Sequence, residues 1–455
     1  QFFAIVTVIS NVVAFLAAVL YGGALAMQEL FGWDLWTAII VLGVVAGMWA
    51  IYGGLSSVAW TDFYTLIVMI ASGILVTVLG LYALSGPEKS LVRGFEIMID
   101  RNRAAEGVYA EVIRQNAPHI TGTDDYNRLS VIQPTTHEVS PWPSLLVGWL
   151  SVSIWYNVIN QFMIQRVLGA RNAWHARMGI VMAGYMKILM PLIVVVPGLI
   201  LFARYPELMR LPWGQIKPEA DKGYVRMLNE LVPIGLRGLF MAALFGAIQS
   251  TINSVLNSTA TVVTLDIYKR VLRPLATEKQ LVRVGVISSV VILAIAIGLG
   301  GSIPKLGESA NSLFVYIQSL YAFFAPPFAA VFLLGILFRR INATGATVAV
   351  VAGFVLGVLM KIYLARHPGQ HPWLEPYAMQ SIVNWAFCIV ICVAVSLVTA
   401  PPSPAQISDQ LTINWRRLNI FEGLGDRWYS SVVFWWGLFV AIILGLVLVF
   451  SGIWL

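Results

Sequence analysis

The sequence predicts an all-α integral membrane protein, and three observations predict it. Hydrophobic residues make up 58% of the 455-residue chain. Charged residues are only 11%, against about 25% in an average soluble domain. Apolar runs of 18 or more residues recur along the whole length, each enough to cross a hydrocarbon core of about 30 Å. The formal charge of +7 needs no nucleic-acid partner, because membrane proteins carry basic residues in their cytoplasmic loops.

Hydropathy gives about eleven spans, near 3–30, 34–54, 61–85, 144–168, 174–203, 234–265, 282–300, 307–338, 342–365, 377–400 and 432–454. Loops after the even-numbered spans collect the basic residues, among them Arg166, Arg171, Lys269, Arg270, Arg339 and Arg416. The other loops hold Lys305 and Arg366 as isolated cases. The basic set is expected in the cytoplasm, which puts a turn at "YGGLSSVAWTD" (52–62) inside and the C-terminus outside. Two polar inserts, 87–142 and 205–232, are too polar to span and suit short surface helices. "APPSPAQ" (400–406) should end a helix, since proline cannot continue one. Cys388 and Cys392, one helical turn apart in an apolar run, read as buried small hydrophobes. The chain opens at Gln1 within an apolar run and without Met, as a chain shortened at its N-terminus would.

The span 234–265 is unusual in carrying hydroxyls and amides on nearly every turn. At helical spacing Ser250, Ser254, Asn257 and Thr261 form a stripe, flanked by Thr251 and Ser258. One reading is close helix packing. The other is an ion site, because Ala247, Ser250 and Thr251 stand at i, i+3 and i+4 and can aim one carbonyl and two hydroxyls at one spot. The hydroxyls can also bond back within their own helix.

Lys187 lies about ten residues, or about 15 Å, from either end of its span. A charge there costs a few kcal/mol, on the order of 3, unless it meets a polar cavity or an ion-pair partner. Asp62 reads either as a helix N-cap or as a functional acid. "SIWYNVINQ" (153–161) sets Trp155 and Tyr156 beside Ser153, Asn157 and Asn160, which suits sugar stacking or an interfacial anchor. Gln318 sits in an apolar span in which Pro326 and Pro327 are expected to break the helix. Enzyme signals are weak. The five histidines lie in loops, no HExxH, GxSxG or Walker pattern occurs, and "GLGG" (298–301) reads as a loop turn.

"YGGLSSVAWTD", "NQFMIQRVLGARN", "FMAALFGAIQSTINSVLNSTATVVTLDIYKR" and "VYIQ…VFLLGILF" resemble the sodium/glucose cotransporters of the sodium–solute symporter family, in order from about residue 10 to about residue 360. The resemblance implies a leucine-transporter-like fold with a five-plus-five inverted repeat. Residues 3–85 would be the remainder of the first repeat, 144–338 the second, and 342–455 additional helices of one transporter domain. About three helices would precede Gln1, among them the first broken core helix. By position, Ala247, Ser250 and Thr251 resemble sodium ligands, and Asp62 resembles an acid on the sodium exit route. Lys187 and Gln318 resemble sugar-binding residues, Tyr156 an inner gate and Phe314 an outer gate. Ser153, Asn157 and Phe15 fall at substrate-binding positions but depart from the residues common there, which leaves the hexose open. Asn253 replaces a hydroxyl of a second sodium site, which favours one sodium per cycle. The implied function is sodium-coupled import of a monosaccharide or inositol by a monomer in the plasma or bacterial inner membrane. The alternatives are a symporter for an organic acid or amino acid, and a solute sensor that transports nothing.

Overall fold

The computed structural model describes residues 2–306, 313–409, 412–415, 425 and 427–452. Among them the chain is helical, and extended pairing is confined to one bridge between Gln133 and Pro141. Among the described residues nine apolar helical segments are long enough to cross a membrane and two are shorter, Leu35–Ile51 and Ser144–Ile159; Leu35–Ile51 and Val58–Glu88, expected as separate spans, belong to one continuous helix. In chain order α1 is Phe2–Phe31, α2 Leu35–Ser85, α3 Leu91–Asn102, α4 Gly107–Thr121 and α5 Ser144–Ile159. Then come α6 Gln161–Leu168, α7 Ala173–Arg204, α8 Trp213–Leu231, α9 Ile234–Leu272 and α10 Glu278–Leu306. The last four are α11 Leu313–Leu337, α12 Ala343–Arg366, α13 Tyr377–Val398 and α14 Val432–Val449. Arg416 and Arg417 lie outside the described residues.

Local chemistry sets the boundaries. Gly32 takes a left-handed conformation, with φ of 66°, to end α1. Asp34 then caps α2 by accepting from the Thr37 N–H at 3.1 Å. Asn342 caps α12 in the same way through the Gly345 N–H at 2.8 Å. α13 stops at Val398, just ahead of the proline-rich "APPSPAQ" stretch. The polar inserts carry the surface helices α3, α4 and α8.

Four local expectations are corrected. The backbone of α2 stays helical through "YGGLSSVAWTD", where a turn was expected. That stretch holds no proline, and a glycine costs a helix only about 1 kcal/mol. Asp62 therefore lies inside α2 and is not an N-cap. α11 runs unbroken through Pro326 and Pro327, as membrane helices can when neighbours accommodate the lost N–H. "GLGG" is helical within α10 and is a packing device. A Cβ on Gly301 would stand 2.4 Å from the Trp36 ring, and one on Gly300 would stand 3.1 Å from the Ala17 carbonyl oxygen.

The chain divides into two compact units, Gln1–Val112 with Lys187–Ile317, and Ile113–Met186 with Gln318–Leu455. In the first, small residues let helices approach closely, as membrane packing requires. Gly23 meets Ile248 and Leu42, Gly43 meets Ile297, Gly47 meets Leu293, and Gly73 meets Ile193. Next to these helices, Val76, Leu81, Met98, Ile200, Met227 and Phe240 form a buried apolar cluster that seats α3 and α8. Gly94 is required there, because a Cβ would lie 2.1 Å from the Leu81 carbonyl oxygen. The Ala203 carbonyl, at the end of α7, accepts from Arg101 at 2.8 Å and from Tyr109 at 2.9 Å.

In the second unit α12 and α13 pack through Gly345 against Ser396 and through Gly353 against Cys388. Cys388 and Cys392 are free and buried, as expected. α14 is tied down by hydrogen bonds from Tyr185 to the Trp435 carbonyl at 2.7 Å and from the Val131 N–H to the Phe450 carbonyl at 2.7 Å.

The loop feeding that second bond is organised by His137. Its Nδ1 accepts from the Val139 and Ser140 N–H groups at 3.1 and 3.0 Å. Burial lowers the imidazole pKa to about 4, against about 6.5 in an unfolded chain. The unfolded form therefore gains its proton first as pH falls. The stability of the loop is complete above about pH 6.5 and is lost between there and about 4. His137→Asn, which keeps an acceptor but does not titrate, is expected to flatten the fall of the unfolding temperature across that window. An unchanged pH profile would contradict the assignment.

Candidate ion and solute site

α9 concentrates the chemistry of the first unit. It runs from Ile234 as an α-helix to Val262 and continues as a π-helix from Val263 to Leu272. Ala247, Ser250 and Thr251 are half-buried on one face of it. Gly246 beside them packs on Thr65, whose Oγ1 would lie 2.9 Å from an added Cβ. The Thr251 hydroxyl donates to the Ala247 carbonyl at 3.2 Å, so these two oxygens are adjacent. The Ser250 carbonyl accepts the Ser254 hydroxyl at 2.6 Å. Thr259 and Thr261 also donate to carbonyls four residues back, at 2.6 and 2.9 Å.

Most hydroxyls on the polar stripe thus satisfy themselves along their own helix. That bond does not exhaust the oxygens near Ala247. A donating hydroxyl keeps its lone pairs, and a carbonyl has two. Ala247 and Thr251 can therefore still face a cation together, with the Ser250 hydroxyl one turn away.

Deeper groups on the same helix were not singled out as a cluster in the sequence. Asn11, in a π-helical turn of α1 (Asn11–Leu16), donates to Thr259 Oγ1 at 3.0 Å. Asn11, Asn253, Ser258 and Thr259 are fully or almost fully buried. Both polar atoms of Asn253, the Ser258 hydroxyl and Asn11 Oδ1 make no hydrogen bond among the described residues. Only the excess of amides on an apolar face pointed toward this cluster.

The remaining candidates of the first unit lie on other helices. Asp62 is half-buried in α2, Phe15 is buried in the π-turn of α1, and Phe314 is exposed in the first turn of α11. Lys187 is exposed along α7 and forms no ion pair among the described residues, so the structural ion-pair reading gains nothing here.

In the second unit the chain interrupts itself where the aromatics gather. Ile154–Ile159 is π-helical, and Asn160 then turns extended, with ψ of 126°, before α6 begins. A π-turn widens the helix by one residue and is common at functional sites. Tyr156 sits in that turn with its ring centroid 5.5 Å from Phe162 and 6.1 Å from Tyr321. Trp155 lies 5.7 Å from Tyr321. Gln318 is half-buried one turn before Tyr321 on α11. Asn157 Nδ2 donates to the Ser153 carbonyl at 3.2 Å, while the Ser153 side chain is exposed. Tyr321 is the aromatic that the sequence reading missed. Its spacing of three from Gln318 placed it on the same face.

The chain is 31% identical over 444 residues to the sodium/myo-inositol cotransporter of Homo sapiens, covering 92% of this chain and 60% of that one. It is 30% identical over 408 residues to the sodium/mannose cotransporter of Bos taurus, covering 85% and 65%. The chain thus spans about 60% of the length of the inositol cotransporters it matches. A solved Na+-coupled sialic acid symporter, in a substrate-bound outward-open state, superposes with a TM-score of 0.63 at 20% identity, covering 88% of this chain and 75% of that one. That likeness shows the fold, which is the leucine-transporter-like, all-helical class expected from the sequence. The sodium:solute symporter family pattern matches residues 1–353, and the relatives named above are cotransporters, not enzymes. The chain belongs to the sodium:solute symporter family.

Proposed function

We propose that the protein is a sodium-driven symporter for a neutral polyol, a monosaccharide or an inositol, working as a monomer in the plasma or bacterial inner membrane. The observation that carries this reading is the oxygen face of Ala247, Ser250 and Thr251 on α9. Sodium is a hard cation that takes oxygen ligands. This face offers one carbonyl and two hydroxyls in a chain whose named relatives are sodium cotransporters.

On this reading Lys187, Gln318, Ser153 and Asn157 hydrogen-bond the hydroxyls of the solute. Phe15 contributes apolar contact, Tyr156 closes the inner side and Phe314 the outer side. Sodium bound at α9 favours the form that accepts solute, and it leaves past Asp62. The coupling is reciprocal: if sodium raises affinity for the solute, the solute raises affinity for sodium by the same factor.

The test is uptake of labelled myo-inositol, mannose and glucose into proteoliposomes holding the full-length protein. Accumulation is expected with an inward sodium gradient and not with choline. Equal accumulation in choline would overturn the reading, and competition by organic or amino acids would reassign the solute. Ser250→Ala removes one oxygen from a charged contact worth about 1.5 kcal/mol or more. It should raise the sodium needed for half-maximal uptake about tenfold; an unshifted sodium curve contradicts the ligand assignment. Lys187→Ala should weaken solute affinity about tenfold or more with a smaller change in sodium dependence. A variant with wild-type solute affinity would remove Lys187 from the site.

A further inference from the structure

A small cavity in the second unit is lined by residues of α11, α12 and α13. Its walls include Ser319, Lys361, Tyr377, Gln380 and Asn384, and it has about 10 Å³ of space for the centre of a water-sized particle. That is room for one small occupant. We propose that this cavity is a binding site for one small inorganic anion of halide size.

The donor balance of the walls carries the proposal. Tyr377 is 6% exposed, and its hydroxyl makes no hydrogen bond among the described residues. Asn384 is 2% exposed, and its Nδ2 faces Gly357, a cavity residue, where an added Cβ would stand 3.5 Å away. Lys361 brings a positive charge to the wall and forms no ion pair among the described residues. Part of the wall's hydrogen-bonding capacity is already engaged. Asn384 Oδ1 takes the Cys388 thiol at 3.5 Å. Gln380 Nε2 donates to the Glu375 carbonyl at 2.9 Å.

Tyr377, Gln380 and Asn384 belong to the first two turns of α13, whose positive dipole end also favours an anion. No carboxylate lines the cavity; Glu138 acts on Tyr377 from outside its wall. An N–H, an O–H and an ammonium thus line one void. A halide, which only accepts, matches those three donors.

The experiment measures thermal unfolding of the purified full-length protein in sodium chloride, sodium bromide and sodium gluconate, with sodium held constant. A ligand that binds only the folded form raises the unfolding temperature with its concentration. Chloride and bromide are expected to raise it saturably over gluconate, which is too large for the cavity. Tyr377→Phe should abolish that rise while matching or exceeding the wild type in gluconate, because it deletes an unpartnered hydroxyl. Lys361→Gln should need at least tenfold more chloride for the same rise. Equal wild-type unfolding temperatures in chloride and gluconate, the result expected of a lone water, overturn the proposal. So does a chloride effect that Tyr377→Phe leaves unchanged. Because sodium is constant throughout, the outcome is independent of the symport reading.

Discussion

The structure depends on how a helix in an apolar chain satisfies polar groups that it carries inward. α9 buries amides and hydroxyls where an unmade hydrogen bond costs about 1–3 kcal/mol. Ser254, Thr259 and Thr261 meet that constraint by bonding to carbonyls of their own helix. Asn11 meets it across helices, through Thr259. Asn253 and Ser258 remain buried without such partners among the described residues. A helix that holds polar atoms in reserve at its centre is suited to hand them to a cargo, and the Ala247–Thr251 face lies on that same helix.

Close packing makes the arrangement possible. Glycines on α1 and α2 bring those backbones to within side-chain distance of α9 and α10. Without a hydrophobic drive between membrane helices, such contact supplies much of the cohesion. The helices depart from regular geometry at Asn11–Leu16 and Ile154–Ile159, and also at Ser144–Gly148 and Val263–Leu272. The first two of these departures hold Phe15, Tyr156 and Asn157. Irregular backbone inside a membrane helix frees polar groups that need partners, and it is tolerated where protein or a cavity supplies them.

Much of this was legible in the sequence because hydropathy and proline position are one-dimensional signals. The limits of α7, α12 and α13 follow the apolar runs closely, and Val398 ends its helix ahead of Pro401. Glycine is a poorer guide. Gly53 and Gly54 suggested a turn inside what is one helix, and Gly300 and Gly301 suggested a loop where α10 packs on Trp36. In each case a small residue serves helix contact or sits harmlessly in a helix, and periodicity alone cannot separate that from a turn. At the site, spacing on one helix was readable, as with Ala247, Ser250 and Thr251. The Asn11–Thr259 bond joins residues 248 positions apart, and the meeting of Tyr321 with Tyr156 joins two distant helices. Such partners are set by packing, which a single sequence does not display.

The central claim is that the α9 oxygens hold an alkali ion. Hydrogen–deuterium exchange of the full-length protein, in sodium and in choline at equal ionic strength, tests it most directly. Slower exchange over residues 247–255 in sodium, erased by Thr251→Val, is the result predicted. Identical exchange of that segment in the two salts would contradict it.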